Sequence, residues 1–167
     1  GGRFYEDYLC SNPSLETGCT RQDSVSCIEG KDEIYWFDSC GNRENIYSSD
    51  KNVSWNNGMI LQKSESCGSD SGNINSETCG NCNTFLSSTC SASTGDNKIQ
   101  DGNYVCRDLS CTDENGKTRM NGESWCSYDG YVGDGKDTVG SRHWMMKCLE
   151  GEVISEGCTD YRGAICT

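Results

Sequence analysis

Fourteen half-cystines, Cys10, Cys19, Cys27, Cys40, Cys67, Cys79, Cys82, Cys90, Cys106, Cys111, Cys126, Cys148, Cys158 and Cys166, are the residues of this chain best equipped for chemistry. Three uses of sulfur compete: metal ligation, thiolate nucleophilicity and cross-linking. A zinc site asks for two Cys-x-x-Cys pairs, or for one pair with histidines at ligand spacing. Only Cys79-Gly80-Asn81-Cys82 has that form, and His143 is the single histidine. A thioredoxin-like role for the same pair would need a βαβ setting, which the surrounding pattern lacks. A Cys-His nucleophile needs a free thiolate. An even number of cysteines can pair completely and leave none. The expectation is therefore structural disulfides at all fourteen positions, with no catalytic residue, no bound metal and no cofactor.

The remaining candidates are weaker. Asp129, Asp134 and Asp137 lie in a glycine-punctuated stretch that could offer oxygens to calcium. Their spacing does not follow the twelve-residue calcium loop and Lys136 intrudes, so a solvated turn is the expected reading. Carboxylate pairs for glycoside hydrolysis carry no weight in a chain with 26 acidic residues. Trp36, Trp55, Trp125 and Trp144 could stack on sugars, yet a chain short of aliphatic residues needs them inside. His143, between Arg142 and Trp144, reads as a packed or hydrogen-bonded imidazole at the start of a strand. Asn52-Val53-Ser54 is the one glycosylation sequon and makes Asn52 a candidate acceptor.

Composition explains why cross-linking is the use that matters. Leu, Ile, Val and Phe supply 23 of 167 residues and the net charge is −12, values that ordinarily accompany disorder. Disulfides offset this deficit by shrinking the unfolded ensemble, each contributing roughly 2–4 kcal/mol. Such a density of half-cystines persists outside a reducing cytosol, so an extracellular or cell-surface location is expected. There is no basic-then-apolar leader and no apolar run of 18 residues, which suits a mature, soluble form without a membrane span. With 26 acidic against 14 basic side chains, nucleic acid is an unfavourable partner.

The elements that must carry the cysteines read as short strands and turns, because the half-cystines from Cys10 to Cys40 recur every eight to thirteen residues among Ser, Asp, Gly and Thr. Ile34-Tyr35-Trp36-Phe37 predicts a buried strand. Val53-Ser54-Trp55 and Met59-Ile60-Leu61 around Asn56-Asn57-Gly58 predict a hairpin, and Trp144–Leu149 with Glu152–Ile154 around Glu150-Gly151 predicts another. No segment keeps a 3.6-residue apolar period over three turns. The fold class expected is mainly β and irregular, with small disulfide-rich β modules in tandem and little helix.

The polar stretch 63–78 suggests a boundary between an N-terminal module, 1–66, and a C-terminal module, 67–167. The order Cys-aliphatic-Glu-Gly, strand, Cys, Arg-x-x-Ile occurs at Cys27 to Ile46 and again at Cys148 to Ile165, which suggests a divergent copy of one β unit. Residues 1–9 precede every cysteine and carry Phe4, Tyr5, Tyr8 and Leu9. They either pack on their own domain or form a free tail that adds to a neighbouring subunit.

Cys106-Arg107-Asp108-Leu109-Ser110-Cys111, Gly122-Glu123-Ser124-Trp125-Cys126-Ser127-Tyr128-Asp129-Gly130, Gly133–Asp137, Val139–Trp144 and Cys158–Arg162 form a block that resembles large, cysteine-rich secreted proteins of small-genome, DPANN-type archaea. Trp36–Asn42 and Cys79–Asn83 are similar to the same proteins. The resemblance implies a surface location and disulfide bonding, and implies no activity. The function expected is that of a non-enzymatic structural protein, the self-assembling subunit of a surface filament, with head-to-tail copies of itself as partner. The alternative is an adhesion or ligand-binding module that takes glycans or other cell surfaces.

Overall fold

The computed structural model describes residues 2–68, 74–128 and 143–157. The protein is mostly β, as expected: short strands in small antiparallel sheets, one five-residue helix, and five disulfides among the described residues. Two compact units divide the chain, Gly1–Asp108 and Leu109–Thr167. The boundary thus falls well after the expected 66/67. The reason is covalent and local: Cys27 is bonded to Cys90, and backbone bonds knit the 79–82 stretch into the first sheet.

Unit 1 is built on a three-stranded sheet, β1 (Ser24–Cys27), β2 (Ile34–Phe37) and β3 (Arg43–Ile46), in that spatial order. The β-prone run of β2 is buried over Ile34, Tyr35 and Trp36, as its sequence predicts. Trp36 and Tyr47 meet at 5.4 Å between ring centroids, tilted by 43°, and centre a core completed by Val25, Ile34, Ile99 and the Cys82–Cys106 bridge. A second hairpin, β4 (Ser88–Ala92) with β5 (Tyr104–Asp108), is tied to β1 through Cys27–Cys90. Gly80 sits in a tight spot between β2 and Tyr47. Its carbonyl accepts from Ile34 N–H (2.8 Å) and its own N–H donates to Tyr47 O (2.9 Å).

The hairpin expected over residues 53–61 is instead a helix, α1 (Lys51–Trp55), followed by a 3₁₀ turn over Asn56–Gly58. Asp50 caps its first turn by accepting from Asn52 N–H at 3.1 Å, and Asn56 ends it in the left-handed region. Asn56 and Asn57 do adopt positive φ, but they terminate a helix and do not reverse a strand.

Unit 2 has a small ladder, β6 (Cys111–Thr112) with β7 (Thr118–Arg119), and a sheet of β8 (Ser124–Tyr128), β9 (His143–Leu149) and β10 (Glu152–Gly157), with β9 central. The β9–β10 hairpin turns on Glu150 and Gly151, both at positive φ, as read from sequence. Trp125, Cys148, Cys111 and Met146 form its core, closed by Cys111–Cys148. Over the described residues the two halves of the suggested repeat differ. Cys27 ends β1 opposite Ile34 across a six-residue loop, whereas Cys148 lies within β9 beside a two-residue turn. Residues Cys158 to Ile165 of the second copy lie outside the described residues.

One loop is nonetheless built twice. The Asp38 carboxylate accepts from Cys40 N–H and Asn42 N–H, both at 2.9 Å, with Gly41 at positive φ. Asp113 does the same for Asn115 N–H and Lys117 N–H at 2.9 Å, with Gly116 at positive φ. Each aspartate replaces missing ladder partners with its own side chain, which lets a chain with little core close tight hairpins.

Candidate interaction surface

The N-terminal segment is anchored further forward than expected. Leu9 is buried and donates its N–H to Gly58 O (2.8 Å), Tyr8 bridges Met59, and Ile60 N–H donates to Asp7 O (2.8 Å). Leu9 therefore belongs to the core of unit 1 and is not part of a free tail over residues 1–9. Ahead of this anchor Phe4 is fully exposed, and Tyr5 makes an edge contact with Tyr8 at 6.0 Å. Tyr5, Tyr8, Met59 and Ile60 form one exposed aromatic and aliphatic rim.

Behind the rim opens a cleft of about 330 Å³, to which Tyr8, Leu9 and Ile60 contribute apolar wall, Lys31, Arg43 and Lys63 positive charge and Glu44 a carboxyl. Lys63 pairs with Glu33. Burial works against the charge of Glu33, but hydrogen bonds from Lys63, the backbone and the Tyr35 hydroxyl outweigh it and lower its pKa. Burial and the bond to Glu33 push Tyr35 up to about 12. Arg43 stacks over the Tyr35 ring at 5.1 Å and has no carboxylate partner among the described residues; nor has Lys31. A chain of net charge −12 thus presents two uncompensated cations in one apolar-rimmed cleft.

No known protein family, curated protein or solved structure matches this chain. What the site can do must be read from its own groups.

Cys10 lines the same cleft as an exposed free thiol, which corrects the expectation that all fourteen cysteines pair. Unit 1 contains nine cysteines, and eight of them pair among themselves as Cys19–Cys40, Cys27–Cys90, Cys67–Cys79 and Cys82–Cys106. Cys79 and Cys82 are structural, as expected, but bond to Cys67 and Cys106 and not to each other. Cys126 is also disulfide-bonded, while Cys158 and Cys166 lie outside the described residues. So do Asp129, Asp134 and Asp137. Among the described residues, the ligand-type atoms that converge, on Cys19, Asp38 and Cys40, are spent: the sulfurs are bonded together and Asp38 holds its loop.

Trp36 and Trp125 are buried as expected; Trp55 and Trp144 are half-buried, under the Arg21 guanidinium (4.7 Å) and against Gly157. Asn52 is exposed on α1, whereas Ser54 of its sequon is buried and accepts from Gln22 Nε2 at 3.0 Å. β9 opens at His143. No described helix is long and apolar enough to cross a membrane. The cleft escaped sequence reading because Lys31, Arg43 and Lys63 share no spacing; only the fold gathers them.

Glu44, on the cleft wall, gives a pH test. Burial raises its pKa, and the hydrogen bonds it accepts from Ser11 and from Gln22 N–H do not cancel that rise. A carboxyl whose folded pKa exceeds its unfolded value favours folding at low pH and loses that advantage as pH rises through the folded value. Between about pH 4 and about pH 7 the wild type is therefore expected to lose more stability than Glu44→Gln, measured as urea midpoints. Parallel midpoint curves for the two proteins would contradict this.

Proposed function

We propose that the protein is a non-enzymatic extracellular structural protein, the subunit of a self-assembling surface filament. The observation that carries this is the placement of its scarce apolar residues. In a chain with so few aliphatic side chains, twelve large hydrophobics are exposed among the described residues, including Phe4, Ile60 and Ile154. Each forgoes part of the roughly 1.5–3 kcal/mol that burial of such a side chain supplies, and exposed apolar clusters of this kind mark contact surfaces. The five disulfides suit an oxidising, extracellular compartment. The buried carboxylates Glu33, Asp38, Glu44 and Asp113 all hold loops or pair with neighbours, which favours a scaffold over a catalyst.

Deleting residues 1–6 removes Phe4 and Tyr5 and leaves the Asp7–Leu9 anchor. The truncated chain is expected to run as a monomer in size-exclusion chromatography and to show no fibres by negative-stain microscopy, where the full chain forms them. Undiminished fibres from the truncated protein would reject a role for this segment.

The unpaired Arg43 and Lys31 favour one second reading, a module that binds an anionic glycan in the cleft. A glycan array separates the two, since binding without polymerisation belongs to that reading alone.

A further inference from the structure

The exposed apolar residues are not scattered. Apart from Phe85 and Leu86, those of unit 1 lie at the N-terminal segment and the cleft rim, and three of those in unit 2 share one face of the β8–β9–β10 sheet. Cross-strand register establishes that face. Leu149 pairs with Glu152, Lys147 with Ile154 and Met145 with Glu156, so these six residues stand on one side. Cys148 and Met146 stand on the other, in the core with Trp125. Met145, Leu149 and Ile154 are 37–48% exposed on the outer side, and Glu152 and Glu156 beside them are exposed with no cation partner among the described residues. Among the described residues β10 is also an edge strand. The two surfaces are complementary: one is apolar and carries two unpaired cations against the single carboxylate of Glu44, the other is apolar and carries two unpaired carboxylates against the single cation of Lys147.

We infer that the outer face of β9–β10 of one copy docks onto the Tyr8–Ile60 rim and cleft of a second copy, with Glu152 and Glu156 meeting Lys31 and Arg43. This deepens the filament reading and rests on it. Copies of a chain with charge −12 repel one another, so association requires a local patch of opposite sign, and the cleft supplies one. Two different surfaces make a heterologous contact. Such a contact leaves a free cleft at one end and a free face at the other, so it propagates into an open fibre wherever its rotation does not close a ring. Charge pairs of this kind set register and partner choice across an apolar contact.

The test reverses each patch. Lys31→Glu with Arg43→Glu, and separately Glu152→Lys with Glu156→Lys, are expected to remain folded by circular dichroism yet to sediment as monomers. An equimolar mixture of the two variants is expected to recover fibres, because each then offers what the other lacks. All four substitutions in one chain should recover them too. Wild-type protein that stays monomeric overturns both the filament reading and this pairing. Wild-type fibres that persist in either double variant, or folded variants whose mixture stays monomeric, overturn the pairing alone. Binding of an anionic polysaccharide that is lost with Lys31→Glu and Arg43→Glu while fibres persist likewise counts against it.

Discussion

Complete reduction with a phosphine is expected to unfold unit 1, with loss of far-UV circular dichroism and of resistance to protease. Its core rests on a handful of side chains, of which Cys82 and Cys106 are themselves members. The contributions should rank by loop size. Cys27–Cys90 closes a separation of 63 residues and Cys67–Cys79 one of 12, so the chain-entropy relation assigns about 4 and about 3 kcal/mol respectively. Paired Ser substitutions at Cys27 and Cys90 should therefore lower the urea midpoint more than those at Cys67 and Cys79. Fully reduced protein that keeps its spectrum and its protease resistance would refute the premise that sulfur replaces the missing core.

The second large effect belongs to Gly80→Ala. A Cβ there would lie 2.7 Å from Cβ of Ile34 and 3.0 Å from both Ile34 O and Cβ of Tyr47. None of these atoms is the far end of a flexible side chain. Relief requires moving β2 away from Tyr47, against the backbone bonds that Gly80 makes to both. The expected loss is about 3 kcal/mol, which lowers the melting temperature by roughly 10–20 °C for a unit of this size. Gly95→Ala is the control, since nothing lies within 4 Å of the Cβ it would add. Equal melting of the two variants would show that the 79–82 stretch yields easily.

How far the sequence could be read followed from whether the deciding interaction is local. Ile34–Phe37 was legible as a strand because β-branched and aromatic residues are dense there, and Glu150-Gly151 was legible because a two-residue turn with positive φ has few alternatives. Asn56-Asn57-Gly58 misled for the same reason: positive φ also ends helices, and Asp50, three residues before Val53, was the capping signal that should have tipped the balance. The Asp113 loop was missed although Asn115-Gly116 announces it; its equivalence to the Asp38 loop shows only in the hydrogen bonds. The unit boundary and the unpaired Cys10 depend on which cysteines meet, and composition carries no such information. The outer β9–β10 face was present as an alternation of Met145, Lys147 and Leu149, but its significance needed the register to Glu152 and Glu156.

The order in which the bridges overlap has a further consequence for endurance. Cys19–Cys40, Cys27–Cys90 and Cys82–Cys106 overlap like roof tiles, so each peptide bond from Cys19 to Cys106 lies inside at least one sulfur-closed ring. A hydrolytic enzyme that severs the backbone once anywhere in that span liberates nothing, because the two ends stay tethered. Material left exposed to a hostile environment can thus take a first nick without shedding a fragment, and that wear becomes visible only after the sulfur links are opened; release without reduction takes a second cut in the same cysteine-free stretch, such as 41–66.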